Sequence, residues 1–293
     1  ISGNGMLHKY GAGTLALTGT NTFQMAALGD ASSVVVGDGT LLINADAALG
    51  SAPASAKVST LLLAGGALQA SANTTVNSNR GIELLSGKTG GLAASASTTL
   101  TYAGIVNGLG ALAVNAATSA TGTVVLSSAD TFMGGTTVSR GTLQLGNAGA
   151  LGIGTLALNG GTVNGSTTLT ALTLGGLSGT ETTSILSLSN TNATPAAIAL
   201  SVGSNNASTS YLGVISGLGS VTKTGTGTLT LAGANTYTGA TAVNRGGLTL
   251  DFSAHGASKD TLEVALRAGI SEIGELDATF RKSDIARLKS FLT

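Results

Sequence analysis

The chain is 293 residues long, with zero formal net charge, no cysteine, 9% charged and 3% aromatic residues. That balance argues against a nucleic-acid surface, which needs clustered Lys and Arg to neutralise phosphates. Disulfides and thiolate metal sites are excluded, and no apolar run reaches the roughly 18 residues of a membrane-spanning helix.

Gly is abundant, 45 residues against two Pro, but no Gly-X-Y period exists, so the chain is not collagen-like. Thr, Ser and Asn replace charge as the polar partner. Hydroxyls and short amides suit stacked strands, where like charges about 4.8 Å apart would repel.

In chain order, Gly13-Thr14-Leu15-Ala16-Leu17-Thr18-Gly19-Thr20-Asn21-Thr22-Phe23 opens the pattern. Its period-two alternation predicts a strand with one face buried. Strands follow over 34–36 and 41–43 around Gly37-Asp38-Gly39, then over 58–63, 67–70, 74–76, 81–85 and 98–102. A second copy of the opening text starts at Gly122-Thr123-Val124-Val125-Leu126. It continues with Ala129-Asp130-Thr131-Phe132-Met133, a strand ending at Val138, an Arg140-Gly141 corner and a strand over 143–145. Further strands are predicted over 156–158, 169–174, 185–188 and 198–202, with Pro53 and Pro195 in loops.

The third copy is the clearest: Gly227-Thr228-Leu229-Thr230-Leu231-Ala232-Gly233-Ala234-Asn235-Thr236-Tyr237-Thr238-Gly239, then Val243, an Arg245-Gly246 corner and Leu248-Thr249-Leu250. Three short strands separated by Gly/Asn corners in little over twenty residues fit one coil of a parallel β-helix. A sandwich is the competitor, but its strands are longer and its turns less glycine-dense. Lead-ins at Ile1, Ile105 and Ile215 precede the copies and begin 104 and 110 residues apart, giving about two and a half superrepeats. About eleven coils at roughly 4.8 Å each make a rod of roughly 50 Å. The pattern starts mid-repeat, so an uncapped first end is expected.

At these residues the chain resembles the passenger-associated transport repeat of bacterial autotransporters, with the pattern G-x-G-T-L-x-L-x-G-x-N-T-Y-x-G-x-T-x-V-x-x-G-x-L. Residues 225–250 match nearly throughout; 122–146 match with Asp130 in the Asn place; 11–43 match up to Phe23 and then drift. The likeness covers roughly residues 1–253. It implies a right-handed β-helix, export to the cell surface, and a structural or adhesive role. Such proteins usually carry a C-terminal membrane barrel, whose motif is missing here; a processed passenger, a fragment or a relative released by another route are the readings left open.

Composition changes after Ser253: 12 of the chain's 26 charged residues lie in 255–293. Leu262, Leu266, Ile270, Ile273, Leu276 and Phe280 recur at three or four residues, which predicts an amphipathic helical segment over 254–293. It is read as a cap on the last coil, a docking element for another subunit or a secretion apparatus, or an appended tail.

Candidate chemistry is sparse. His8 and His255 lie far apart in the chain, so a His–carboxylate pair or a two-His metal site is not expected. Asp30, Asp38 and Asp46 are spaced by eight, but the nonapeptide calcium repeat is missing. Gly87-Lys88-Thr89 resembles the end of a phosphate loop with the wrong spacing and no following helix. Arg80, Glu83 and Lys88 form the densest charged group, which a polysaccharide-cleaving β-helix would need in more concentrated form.

The sequence therefore predicts an all-β right-handed parallel β-helix over 1–253 with a short C-terminal α-helical segment. No catalytic, cofactor or metal site is assigned, and no nucleic-acid partner or transmembrane segment is expected. Structural repeat positions are Asn21, Phe23, Phe132, Asn235 and Tyr237; candidate subunit contacts are Ile1, Leu266, Ile273 and Phe280. The expected function is an extracellular, non-enzymatic rod stacking head to tail with itself. The alternatives are a cell-surface adhesin passenger binding a host or matrix ligand and, further off, a carbohydrate-active enzyme.

Overall fold

The computed structural model describes residues 1–23, 33–251 and 270–272. Every strand pair in it is parallel. The chain winds as a β-solenoid of about ten turns, each with three sides.

The second side is the most regular. Eight strands, from Thr14–Leu17 to Gly176–Ser178, form one sheet. A bridge from Gly179 to Tyr211 passes it on to Thr209–Tyr211, Thr228–Leu231 and Gly247–Leu250. The first side runs from Leu7–Lys9 to Val106–Gly108. It crosses two coils without strands at 131–133 and 148–154, then resumes at Ala171–Leu174. The third side begins at residues 21–23 and the 3-10 turn Asp46–Leu49, then becomes a seven-strand sheet from Thr74–Val76 to Val214–Ser216.

The period-two pattern places Thr outward and Leu or Val inward, and parallel register superimposes them. Leu15, Leu41, Leu68, Leu92, Val114, Val138 and Leu158 form one unbroken column along the second side. All but Leu15 are fully buried, and burying each such side chain is worth roughly 1.5–3 kcal/mol. On the outer surface of the third side, Thr99, Thr123, Thr142 and Thr162 stand in register. Neutral hydroxyls tolerate this stacking where charges would not.

Of the segment expected to be helical, only residues 270–272 are described. Ile270–Glu272 is a strand paired with Thr241–Val243, so at this point another rung on the first side stands where a helix was expected. The rest of that segment, with Leu266, Ile273 and Phe280, lies outside the described residues. Among the described residues no helix is long and apolar enough to cross a membrane.

Candidate functional site

The recurring feature of the rod is a corner unit, assembled in each copy of the repeat from residues on neighbouring coils. Its centre is the Asx residue. Asn21 Oδ1 accepts from the nitrogen of Ile1 at 2.6 Å, Asp130 Oδ1 from Val106 N at 2.9 Å, and Asn235 Oδ1 from Ile215 N at 2.8 Å. The next residue completes the pair: Thr22 N donates to Ile1 O, Thr131 N to Val106 O, and Thr236 N to Ile215 O, at 2.8–2.9 Å. A side-chain oxygen thus takes the place of a backbone carbonyl in the strand ladder. This explains why each copy is preceded, roughly one coil earlier, by an Ile or Ile-Val lead-in: the two are adjacent rungs.

Two residues further on sits an aromatic ring. Phe23, Phe132 and Tyr237 are buried, and the Tyr237 hydroxyl lies 2.5 Å from Thr241 Oγ1. Phe23 and Tyr237 lie on the third side, whereas Phe132 lies on the first. The second copy is rotated by one side relative to the other two: Thr123–Leu126 lies on the third side, while Thr14–Leu17 and Thr228–Leu231 lie on the second. The superrepeat is therefore not a whole number of coils.

The corner glycines follow from backbone geometry. Gly39, Gly141 and Gly246 have φ of +65°, +59° and +73°. A Cβ there would strike carbonyls of the coil below, those of Gly11 and Gly13, of Gly122, and of Gly225 and Gly227 respectively.

A third member of the unit escaped the sequence reading. Lys9 is 7% exposed, and its Nζ donates to the carbonyls of Tyr10, Gly11 and Asp38 at 3.1, 2.5 and 3.0 Å. Lys223, 1% exposed, does the same to Thr224, Gly225 and Arg245. In the second copy Asn115 takes over, its Nδ2 donating to Gly122 O and Arg140 O. In each case one acceptor is the carbonyl just before the corner glycine. Desolvation lowers the Lys223 pKa. The shared Lys-x-Gly-x-Gly-Thr text of 9–14 and 223–228 was the available signal.

Among the described residues the charges do not converge on a chemical centre. Arg80 turns inward, away from its sequence neighbours Glu83 and Lys88. Its Nε lies 2.8 Å from Asp46 Oδ1, and it also donates to the carbonyls of Leu49 and Gly50. Tyr102 donates its hydroxyl to the Arg80 carbonyl, and burial pushes that phenol well above its usual range. Asp46 thus serves Arg80 while Asp38, at a different corner, bonds to Gly39 N; Asp30 lies outside the described residues. His8 contacts Tyr10 on the surface, and His255 lies outside the described residues. The turn at Gly87-Lys88 leads into the strand Thr89–Ala94. Ile1 is exposed.

Parallel coils, inward aliphatic columns and a recurrent Asx–aromatic–glycine corner define a three-sided β-solenoid of repeated coils. The family model "Passenger-associated-transport-repeat" matches residues 7–24, 121–145 and 221–250. Those stretches contain the Asx and aromatic residues of the three corner units, Asn21 and Phe23, Asp130 and Phe132, and Asn235 and Tyr237. The chain is also 41% identical over 100 residues to the adhesin BmaC autotransporter of Brucella suis biovar 1 (strain 1330). That match covers 34% of this chain and 3% of the relative, so the chain spans only a small part of that protein's length. No solved structure matches the chain.

Proposed function

We propose that the chain is a rod section of a cell-surface adhesin passenger, exported and non-enzymatic, whose outer sides meet a host or matrix ligand. The observation that carries this reading is the likeness to an autotransporter adhesin, together with transport repeats that coincide with the coil-closing corners. The sparsely charged exterior, with threonine hydroxyls in register along its strands, fits a long rigid spacer that must remain folded outside the cell. The test is attachment. Cells displaying the chain on a carrier passenger are applied to matrix proteins and to host-cell layers. Attachment above the empty carrier supports the adhesin reading; none, with the rod accessible to added protease, leaves it a spacer and refutes ligand binding.

The second reading is self-assembly. Among the described residues, Leu7–Lys9 and Gly247–Leu250 are the last strands of their sheets, and strand edges of this kind pair with a further coil, whether of a second copy or of the same chain. Negative-stain microscopy at rising concentration distinguishes the two: filaments support head-to-tail stacking, and isolated rods at all concentrations reject it.

A further inference from the structure

At the Asx position the first and second corner units differ by one group. Asn21 uses both ends of its amide: Oδ1 accepts from the Ile1 nitrogen, and Nδ2 donates to Ala48 O at 2.7 Å on the next coil. Asp130 occupies the same place. Its backbone N donates to Gly149 O as that of Asn21 does to Ala47 O, which makes Ala150 the counterpart of Ala48. The following glycines agree: Gly50 and Gly152 both have positive φ and both crowd the carbonyl of their aromatic residue, Phe23 or Phe132. Asp130 Oδ1 keeps the accepting role, but Oδ2 is buried without a hydrogen-bond partner. A carboxylate has no proton to give, whereas a carboxylic acid does.

We propose that Asp130 is a proton-dependent staple, in which the protonated carboxyl donates from Oδ2 towards the Ala150 carbonyl as Asn21 does to Ala48, and loss of the proton loosens the coils joined there.

The neighbouring segments offer the negative charge no cation. The segment below, 103–110, and the segment above, 146–155, contain no titratable side chain. Tyr102 is the titratable neighbour that feels the Asp130 charge; Arg80 and Asp46 also act on Tyr102, but they are paired with each other. Burial, partly offset by the hydrogen bond from Val106 N, raises the Asp130 pKa from 3.8 to about 7. A raised folded value sets the sign. The stabilisation is complete below pH 3.8 and is lost as pH climbs through about 7. In a repeat protein each coil contacts only its neighbours, so the loosening stays local.

The test is amide hydrogen exchange of the full chain between pH 5.5 and 8.5, corrected for the intrinsic pH dependence of exchange. Protection over 104–135 is expected to fall by about tenfold or more relative to 211–240, one pKa unit being a factor of ten. Asp130→Asn should abolish that difference. Indistinguishable profiles for wild type and Asp130→Asn overturn the proposal. If that variant does not fold, the Asp130 carboxyl of the wild type is titrated by carbon NMR. A midpoint near 7 then supports the staple, and one near 4 overturns it.

Discussion

At the scale of single residues, the buried cations are the strongest test of the corner unit. Replacing Lys223 by Met removes the donor shared by the carbonyls of Thr224, Gly225 and Arg245. Leaving buried acceptors unpaired costs about 1–3 kcal/mol, so the urea midpoint of Lys223→Met should fall accordingly at neutral pH. The lowered pKa of this lysine has a sign of its own. A cation that resists protonation when folded adds stability as pH rises from its folded value to the ordinary 10.5, and the variant should lose this alkaline gain. Arg80 is a second case. Its side chain is 3% exposed while that of Asp46 is 24% exposed. Arg80→Met should therefore cost less than the roughly 3–5 kcal/mol of breaking a fully buried pair, but it also leaves the Leu49 and Gly50 carbonyls short of a donor. Thermal melting of Arg80→Met against the wild type measures the loss.

At the scale of the element, strand length and corner geometry limit one another. The strands are only three to seven residues long, and successive coils touch at the corners through backbone. Gly225 has φ of +67°, and a Cβ on it would run into the carbonyl of Gly203; Gly87 has φ of +70° but open space around it. Gly87→Ala should cost only the roughly 1 kcal/mol of an unfavourable left-handed backbone, whereas Gly225→Ala must also push two coils apart. Comparing the two by chemical denaturation separates conformational strain from steric contact. Similar losses would mean that the corners yield more easily than their close backbone packing implies.

At the scale of the whole molecule, stability is a sum over coils and the interfaces between them. Among the described residues, eleven strands along the second side, stacked at about 4.8 Å, span roughly 50 Å, so small-angle scattering of the chain should give a longest dimension of at least about that length. Unfolding should not be one sharp step. Hydrogen exchange is expected to show low protection in the terminal coils and the highest in the middle of the column from Leu41 to Leu158, with the Asp130 coils as the pH-dependent exception. A single protection level along the rod would contradict this nearest-neighbour picture. The rotation of the second copy also matters here: its corner faces a different direction from the other two, so a ligand that reads the corner unit meets it on two sides of the rod.

Much of this was legible in the chain itself. Alternation in Thr-Leu-Thr-Leu fixes which face is buried, Gly after Arg140 and Arg245 marks the corners, and the recurrence of the text leaves a stacked solenoid as the consistent fold. The recurrence of Asn21 and Asn235 with their aromatic neighbours is visible in the text, but their amides bond backbone of the adjacent coils, twenty or more residues away, and not the nearby backbone that a turn residue is expected to use. Three other things were not legible. Nothing local says that Lys9 and Lys223 point into carbonyls of the coil they close. The strand at Ile270–Glu272 was read as helix from its three-and-four spacing, because pairing with Thr241–Val243 is a long-range contact that no local period records. The rotation of the second copy was invisible because residues per coil vary, and only the winding shows which side a strand occupies. Local periodicity determines what each strand buries; the closure of the coils alone decides which residues become neighbours, since those contacts lie twenty or more residues apart.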